Sequence, residues 1–163
     1  MIAGDTTGST SLPLDSTANV DSWILSSNRS CNLPQLPFRV RSHASAITPI
    51  GLVICGGFRI PGGDQKTCKR LTSSNQWEYF PSLKTFRWDL AMKYMNGKLW
   101  AIGGHGSLSM EYIDITNPTL WTTESIPFDS RYGSCITELP NRNNVNNRLL
   151  LIGGGEWNNL VVS

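Results

Sequence analysis

The chain has 163 residues, of which 16% are charged, and a formal net charge of +2. Average globular proteins carry about 25% charged residues, and no run of lysine or arginine forms the basic footprint of a nucleic-acid binder, so nucleic acid is set aside as a partner. No stretch reaches the roughly 18 apolar residues of a membrane span, and the opening "MIAGDTTGSTS" has neither the basic nor the apolar region of a secretion signal.

Fifteen glycines, nine prolines and six tryptophans suit many short strands joined by turns. Apolar residues at helical spacing are hard to find over ten positions, so the expectation is a nearly all-β protein. A single compact domain of this length buries roughly 68–70% of its unfolded surface.

In chain order, the first landmark is Gly4 in "MIAGD". Cys31, "LVICGG" ending on Gly56 and Gly57, Cys68 and Trp77 follow, and then come Arg87 and "LAMKYMNGKLWAIGG", which ends on Gly103 and Gly104. Asn96-Gly97 between two apolar runs is a strong hairpin signal, because both turn positions favour positive φ. "SMEYIDI", the turn cluster "TNPT" and "LWTTESI" supply two more strands. One period therefore yields four strands. The last apolar run, "LLLIGGG", comes after the long polar segment "LPNRNNVNNR".

These landmarks repeat. Gly4, Gly56, Gly103 and Gly153 are 52, 47 and 50 residues apart. Cys31, Trp77 and Trp121 keep step, 46 and 44 residues apart, and each is followed ten residues later by an arginine: Arg41, Arg87 and Arg131. Self-similarity at this period is the signature of a repeat architecture. The units run over about 4–55, 56–102 and 103–152, with a partial unit at 153–163.

The diglycine after an apolar strand, the later tryptophan, and the proline and arginine of "WEYFPSLKTFRWDLA" and "WTTESIPFDSRYGSC" resemble the kelch repeat. The resemblance covers essentially the whole chain. It departs at Gly4-Asp5, at Cys31 where tryptophan is expected, and in "LPNRNNVNNR". It implies an all-β, kelch-type β-propeller segment of about three four-stranded blades with partial blades at each end. In such an array, glycines where the inner strands end let neighbouring backbones approach without Cβ collisions. Trp77 and Trp121 are then expected in the core between blades, and the landmark arginines are expected to brace them. About three blades are half of a closed ring, so the chain is expected either to continue in a longer protein or to close a ring as a homodimer.

Cys55 and Cys68 lie on strands that should run side by side, so a disulfide between them is expected; the other reading is two small buried residues that never meet. Cys31 and Cys135 stay unassigned. "SCNLPQLPFRVRSHASAITPIGLVICGG" with the following "KTCKRL" looks like the cysteine-bearing kelch proteins secreted by, or displayed on, invertebrate cells. "NRS" makes Asn28 a candidate glycosylation site. Together they point to an extracellular location, with the cytoplasm as the alternative.

Catalytic chemistry is poorly represented. His43 and His105 are the only histidines, and neither has the spacing of a metal site, so no metal and no cofactor are expected. His105 is expected to be a solvated loop residue at the channel rim. Tyr94, Tyr112 and the cysteines do not match the ligand set of the copper radical oxidases that share this blade. The expectation is a non-enzymatic module binding a protein or peptide through rim loops. The alternatives are the substrate-recognition part of a ubiquitin ligase adaptor and a fragment of a copper-oxidase or sugar-processing enzyme.

By the kelch resemblance, ligand-facing positions follow the diglycine: Phe58 and Arg59, His105, and Glu156 with Trp157. A second set lies two places beyond the landmark arginine: His43, Asp89 and Gly133. Arg59 is the candidate for a carboxylate, since its fork can bind two oxygens at once.

Overall fold

The computed structural model describes residues 2–3, 20–24, 29–59, 61–105, 107–125, 132–139, 148–152 and 154–155. Among them every regular element is a β-strand, and every pairing is antiparallel. β1 (Ile2–Ala3), β2 (Val20–Ile24) and β3 (Arg29–Asn32) form a three-stranded sheet.

Two complete four-stranded sheets follow. The first has the order β4 (Ala44–Thr48), β5 (Gly51–Cys55), β8 (Cys68–Leu71), β9 (Trp77–Phe80), and a small hairpin of β6 (Phe58–Arg59) and β7 (Gly63–Asp64) projects between β5 and β8. The second has the order β10 (Ala91–Met95), β11 (Lys98–Ile102), β12 (Ser109–Asp114), β13 (Thr122–Ser125). β14 (Cys135–Leu139) pairs with β15 (Arg148–Ile152), so the ends of the long polar segment meet at Leu139 and Arg148 as a hairpin. Of the three blades expected, the described residues thus contain two complete ones flanked by partial sheets.

The sequence explains the hairpins. Asn96 and Gly97 adopt φ of 52° and 75°, the conformation that the two-residue turn between β10 and β11 requires. Within β5 the alternation sends Val53 and Cys55 to one face and Leu52 and Ile54 to the other. The first face packs against the second sheet in a cluster with Phe80, Leu83, Leu99, Ala101, Ile113 and Trp121. The other face packs with Leu71 and Trp77 against Leu36, Val40, Leu33 and Phe38. The first complete sheet is thereby covered on both faces, which is the logic of stacked blades.

Trp121 is fully buried between the two complete blades, edge-on to Phe80, and its indole N–H donates to the Pro81 carbonyl at 2.7 Å. Trp77 repeats the contact one blade earlier, donating to the Pro34 carbonyl at 2.9 Å. It is half-buried, at the edge of the core rather than inside it.

The expected disulfide is present. Cys55 and Cys68 are directly paired across β5 and β8, their Cα atoms are 4.2 Å apart, and both are buried. Cys135 is an exposed free thiol. Asn28 and Arg131 lie outside the described residues, as do Glu156 and Trp157.

Candidate functional site at the diglycine rim

Strands β5 and β11 each end on a glycine pair at the same rim. A Cβ on Gly57 would lie 2.5 Å from Val40 Cγ2 and 2.7 Å from the Arg41 carbonyl oxygen. One on Gly104 would lie 3.0 Å from the Trp88 carbonyl oxygen and 3.2 Å from Arg87 Cβ. The pairs end these strands because the incoming segment of the same blade passes directly against them.

That packing also fixes which residues are equivalent. Val40 stands to Gly57 as Arg87 stands to Gly104, and Arg41 corresponds to Trp88. The landmark arginines are therefore not all equivalent. Arg87 is a brace, as expected, whereas Arg41 stands one place off that station with its guanidinium 5.0 Å over the Phe58 ring. The true counterpart of Arg87 is the buried Val40.

Arg87 is fully buried and spends its donors on the blade. One terminal nitrogen donates to the Gly103 and Ser109 carbonyls at 2.6 and 2.7 Å, and the other to Ser109 Oγ at 2.7 Å and Glu111 Oε1 at 3.1 Å. Its Nε also donates to Glu111, at 3.2 Å. The equally buried Glu111 carboxylate further accepts the Lys84 and Thr85 backbone N–H groups at 2.7 and 3.0 Å, so every charge is matched. Burial pulls the Arg87 guanidinium below its ordinary pKa, and the Glu111 carboxylate opposes that shift. Glu111 escaped the sequence reading. The one signal was an acid on the face of β12 that alternates with the apolar Ile113.

Successive blades are joined at the rim by backbone. Gly57 N–H donates to the Arg87 carbonyl at 2.7 Å, Asp89 N–H to the Ser42 carbonyl at 2.8 Å, and Gly133 N–H to the Asp89 carbonyl at 2.9 Å. Ser42, Asp89 and Gly133 share the left-handed conformation, with φ of 54°, 53° and 63°. Two of the three residues expected in the second ligand-facing set, Asp89 and Gly133, thus occupy one repeated station. Ser42 rather than His43 holds the third place. His43 is tucked beside Gly57, with Nδ1 buried and lacking a hydrogen bond, and burial lowers its pKa from 6.5.

The post-diglycine residues converge with aromatic side chains from the inter-blade segments. Phe58 sits edge-on to Trp88 at 6.4 Å, Trp88 stacks on His105 at 4.4 Å, and His105 meets Tyr132 at 6.4 Å. All four rings are half-buried. His105 is therefore one member of a stack rather than a free loop histidine. Trp88 and Tyr132 were missed because one follows a brace and the other a landmark arginine, where only the arginine drew notice. Arg59 lies 4.8 Å over the Phe38 ring, and among the described residues its guanidinium makes no hydrogen bond. Exposed Leu108, in the connection from β11 to β12, adds an apolar side chain to this rim.

At the opposite rim a cleft of about 630 Å³ opens between the β4–β5 and β8–β9 turns, lined by Ile47, Pro49, Ile50, Arg70, Thr72 and Asn75 among others. Among the described residues no three His, Cys, Asp or Glu side chains are grouped to hold a metal ion, and no helix is long and apolar enough to cross a membrane.

No family model matches the sequence. Kelch-like protein 11 of Mus musculus is 34% identical over 101 residues, covering 60% of this chain, and the protein of the same name from Homo sapiens is 33% identical over the same length. The match spans 14% of the length of each of these relatives. The solved structure of YjhT superposes with a TM-score of 0.65 over 85% of this chain and 45% of that one, at 16% identity, a likeness of fold.

Four-stranded antiparallel sheets packed face to face and joined along a diglycine rim define a β-propeller segment. The sequence similarity to kelch-like proteins supports a kelch-repeat family, and the likeness to YjhT shows the propeller fold.

Proposed function

We propose that the chain is a protein-interaction module whose diglycine rim binds a protein or peptide ligand, with no catalysis of its own. The observation that carries this reading is the convergence of Phe58, Trp88, His105 and Tyr132, drawn from three successive sheets and the segments leading into them, onto one rim. Half-exposed rings on a rigid scaffold supply contact area at low entropic cost. Arg59 is the carboxylate-binding residue: its guanidinium lies 4.8 Å over the Phe38 ring, and its fork of N–H donors suits charge-assisted bonds to two oxygens. Asp89, next to Trp88 in the chain, is assigned to the same face, as is His43 by position in the repeat. Glu156 and Trp157 are assigned to the same rim by position in the repeat.

The module works in an extracellular setting. Supporting this is the buried cross-strand bridge between Cys55 and Cys68, since disulfides persist in oxidising compartments.

The test is capture of ligand from conditioned medium by immobilised protein. Arg59→Ala should reduce capture of the discrete bound species at least tenfold, while Asn75→Ala at the opposite rim leaves it unchanged. Undiminished capture by Arg59→Ala would remove the carboxylate role, and loss only in Asn75→Ala would move the binding face to the opposite rim.

A further inference from the structure

The two complete blades close the base of their rim connections by different means. In the second blade the connection from β11 to β12 is short, and Arg87 ties its ends together by donating to the Gly103 and Ser109 carbonyls while Glu111 holds the guanidinium. In the first blade the equivalent connection runs from Gly56 to Thr67 and carries the β6–β7 hairpin with Phe58 and Arg59.

Neither partner of the ionic brace exists there. Val40 takes the station of Arg87, as the packing against Gly57 and Gly104 shows. Lys69 takes the station of Glu111, since Lys69 pairs with Ile54 where Glu111 pairs with Ala101. An aliphatic side chain and a cation can neither gather the loop ends nor hold each other.

What the first blade has instead is a covalent bond at the same level. Cys55 and Cys68 pair across β5 and β8 in the register that Ile102 and Met110 occupy in the second blade. Above the bridge, the bonds among the described loop residues include the two β6–β7 pairs, Gly56 N–H to the Thr67 carbonyl at 3.1 Å, Gln65 N–H to the Gly57 carbonyl at 2.8 Å and the Gln65 amide to the Gly62 and Gly63 carbonyls. Backbone bonds between Phe58 and Arg41, from Gly57 to Arg87, from Leu83 to Lys66 and from Arg87 to Gln65 tie the loop to neighbouring segments.

We propose that the Cys55–Cys68 disulfide is the covalent counterpart of the Arg87–Glu111 brace, holding the 56–67 connection and its rim residues in place and making their order depend on redox state. Below it, the β5–β8 ladder continues from Ile54–Lys69 to Leu52–Leu71, and the core shared with Trp121, to which both cysteines belong, is built mostly from other residues of the two sheets. Reduction by a dithiol such as dithiothreitol breaks the S–S bond, delivers two electrons and two protons to form two thiols, and converts the reductant to its cyclic disulfide. Because both cysteines are buried, the loop must open before a thiolate can reach the sulfur.

Hydrogen exchange tests this without any ligand, so its outcome is independent of the binding reading. The comparison is between the oxidised protein, the same protein in dithiothreitol, and Cys55→Ile/Cys68→Met, which installs the second blade's own pair and keeps the packing apolar. Exchange at the Gly56 and Gln65 amides should accelerate at least tenfold in the reduced protein and in the variant, with less than a twofold change at Leu99, Ala101 and Ile113. Unchanged exchange at Gly56 and Gln65 would overturn the proposal. Acceleration of similar size in both sheets would also overturn it, because the bridge would then be supporting the whole fold rather than the rim connection.

Discussion

Glu111 holds Arg87 through two guanidinium nitrogens at 3.1 and 3.2 Å, and neither side chain has any solvent exposure. Removing one partner of a buried, fully bonded pair leaves an uncompensated charge, at a cost of about 3–5 kcal/mol. Glu111→Gln and Arg87→Met should each destabilise by about that amount in urea unfolding. Arg87→Met/Glu111→Gln should cost clearly less than the two single changes combined. Strict additivity in this cycle would show that the two groups do not depend on each other.

The glycine pairs differ from the turn glycines in what surrounds them. Gly57 and Gly97 both adopt positive φ, at 99° and 75°, but a Cβ on Gly97 would meet nothing within 4 Å, whereas one on Gly57 runs into Val40 and the Arg41 carbonyl. Gly97→Ala should therefore cost about 1 kcal/mol from backbone strain alone, and Gly57→Ala well over 2 kcal/mol. Equal unfolding midpoints for the two variants would contradict the close approach at the rim.

His43 gives the fold a predictable acid sensitivity. Burial lowers its pKa in the folded protein, so as pH falls through about 6.5 the unfolded chain binds a proton before the folded one does. The stability it contributes is complete above pH 6.5 and is lost as pH falls, by at most about 1.4 kcal/mol per pH unit. His43→Gln should flatten the decline in urea midpoint between pH 7.5 and 5. Parallel curves for the two proteins would remove His43 as the cause.

Much of the fold was legible because it rests on local signals. Asn96-Gly97 marks its hairpin by turn chemistry, and the Cys55–Cys68 pairing follows from strands that must run side by side. The register slipped by one in the first unit, where counting from Cys31 selects Arg41. Pro34 to Val40 and Pro81 to Arg87 have the same six-residue spacing, and both proline carbonyls accept a tryptophan N–H from the following strands. Anchoring on the prolines would have found Val40 and Ser42. The Arg87–Glu111 pair and the ring contacts of Trp88 were out of reach, because partners 24 residues apart meet only once the sheets are stacked. The β6–β7 hairpin rests on two residue pairs and has too short a pattern to read.

Binding of partners at the diglycine rim can be read directly by site-specific photocrosslinking. A benzophenone amino acid replacing Phe58 or His105 would be compared with the same group replacing Tyr79 or Leu120, which are exposed on or just before the edge strands β9 and β13. The account predicts a discrete crosslinked species at the first two positions that excess unmodified protein competes away, and none at the other two. Equal crosslinking at all four positions, or crosslinking confined to Tyr79 and Leu120, would contradict it.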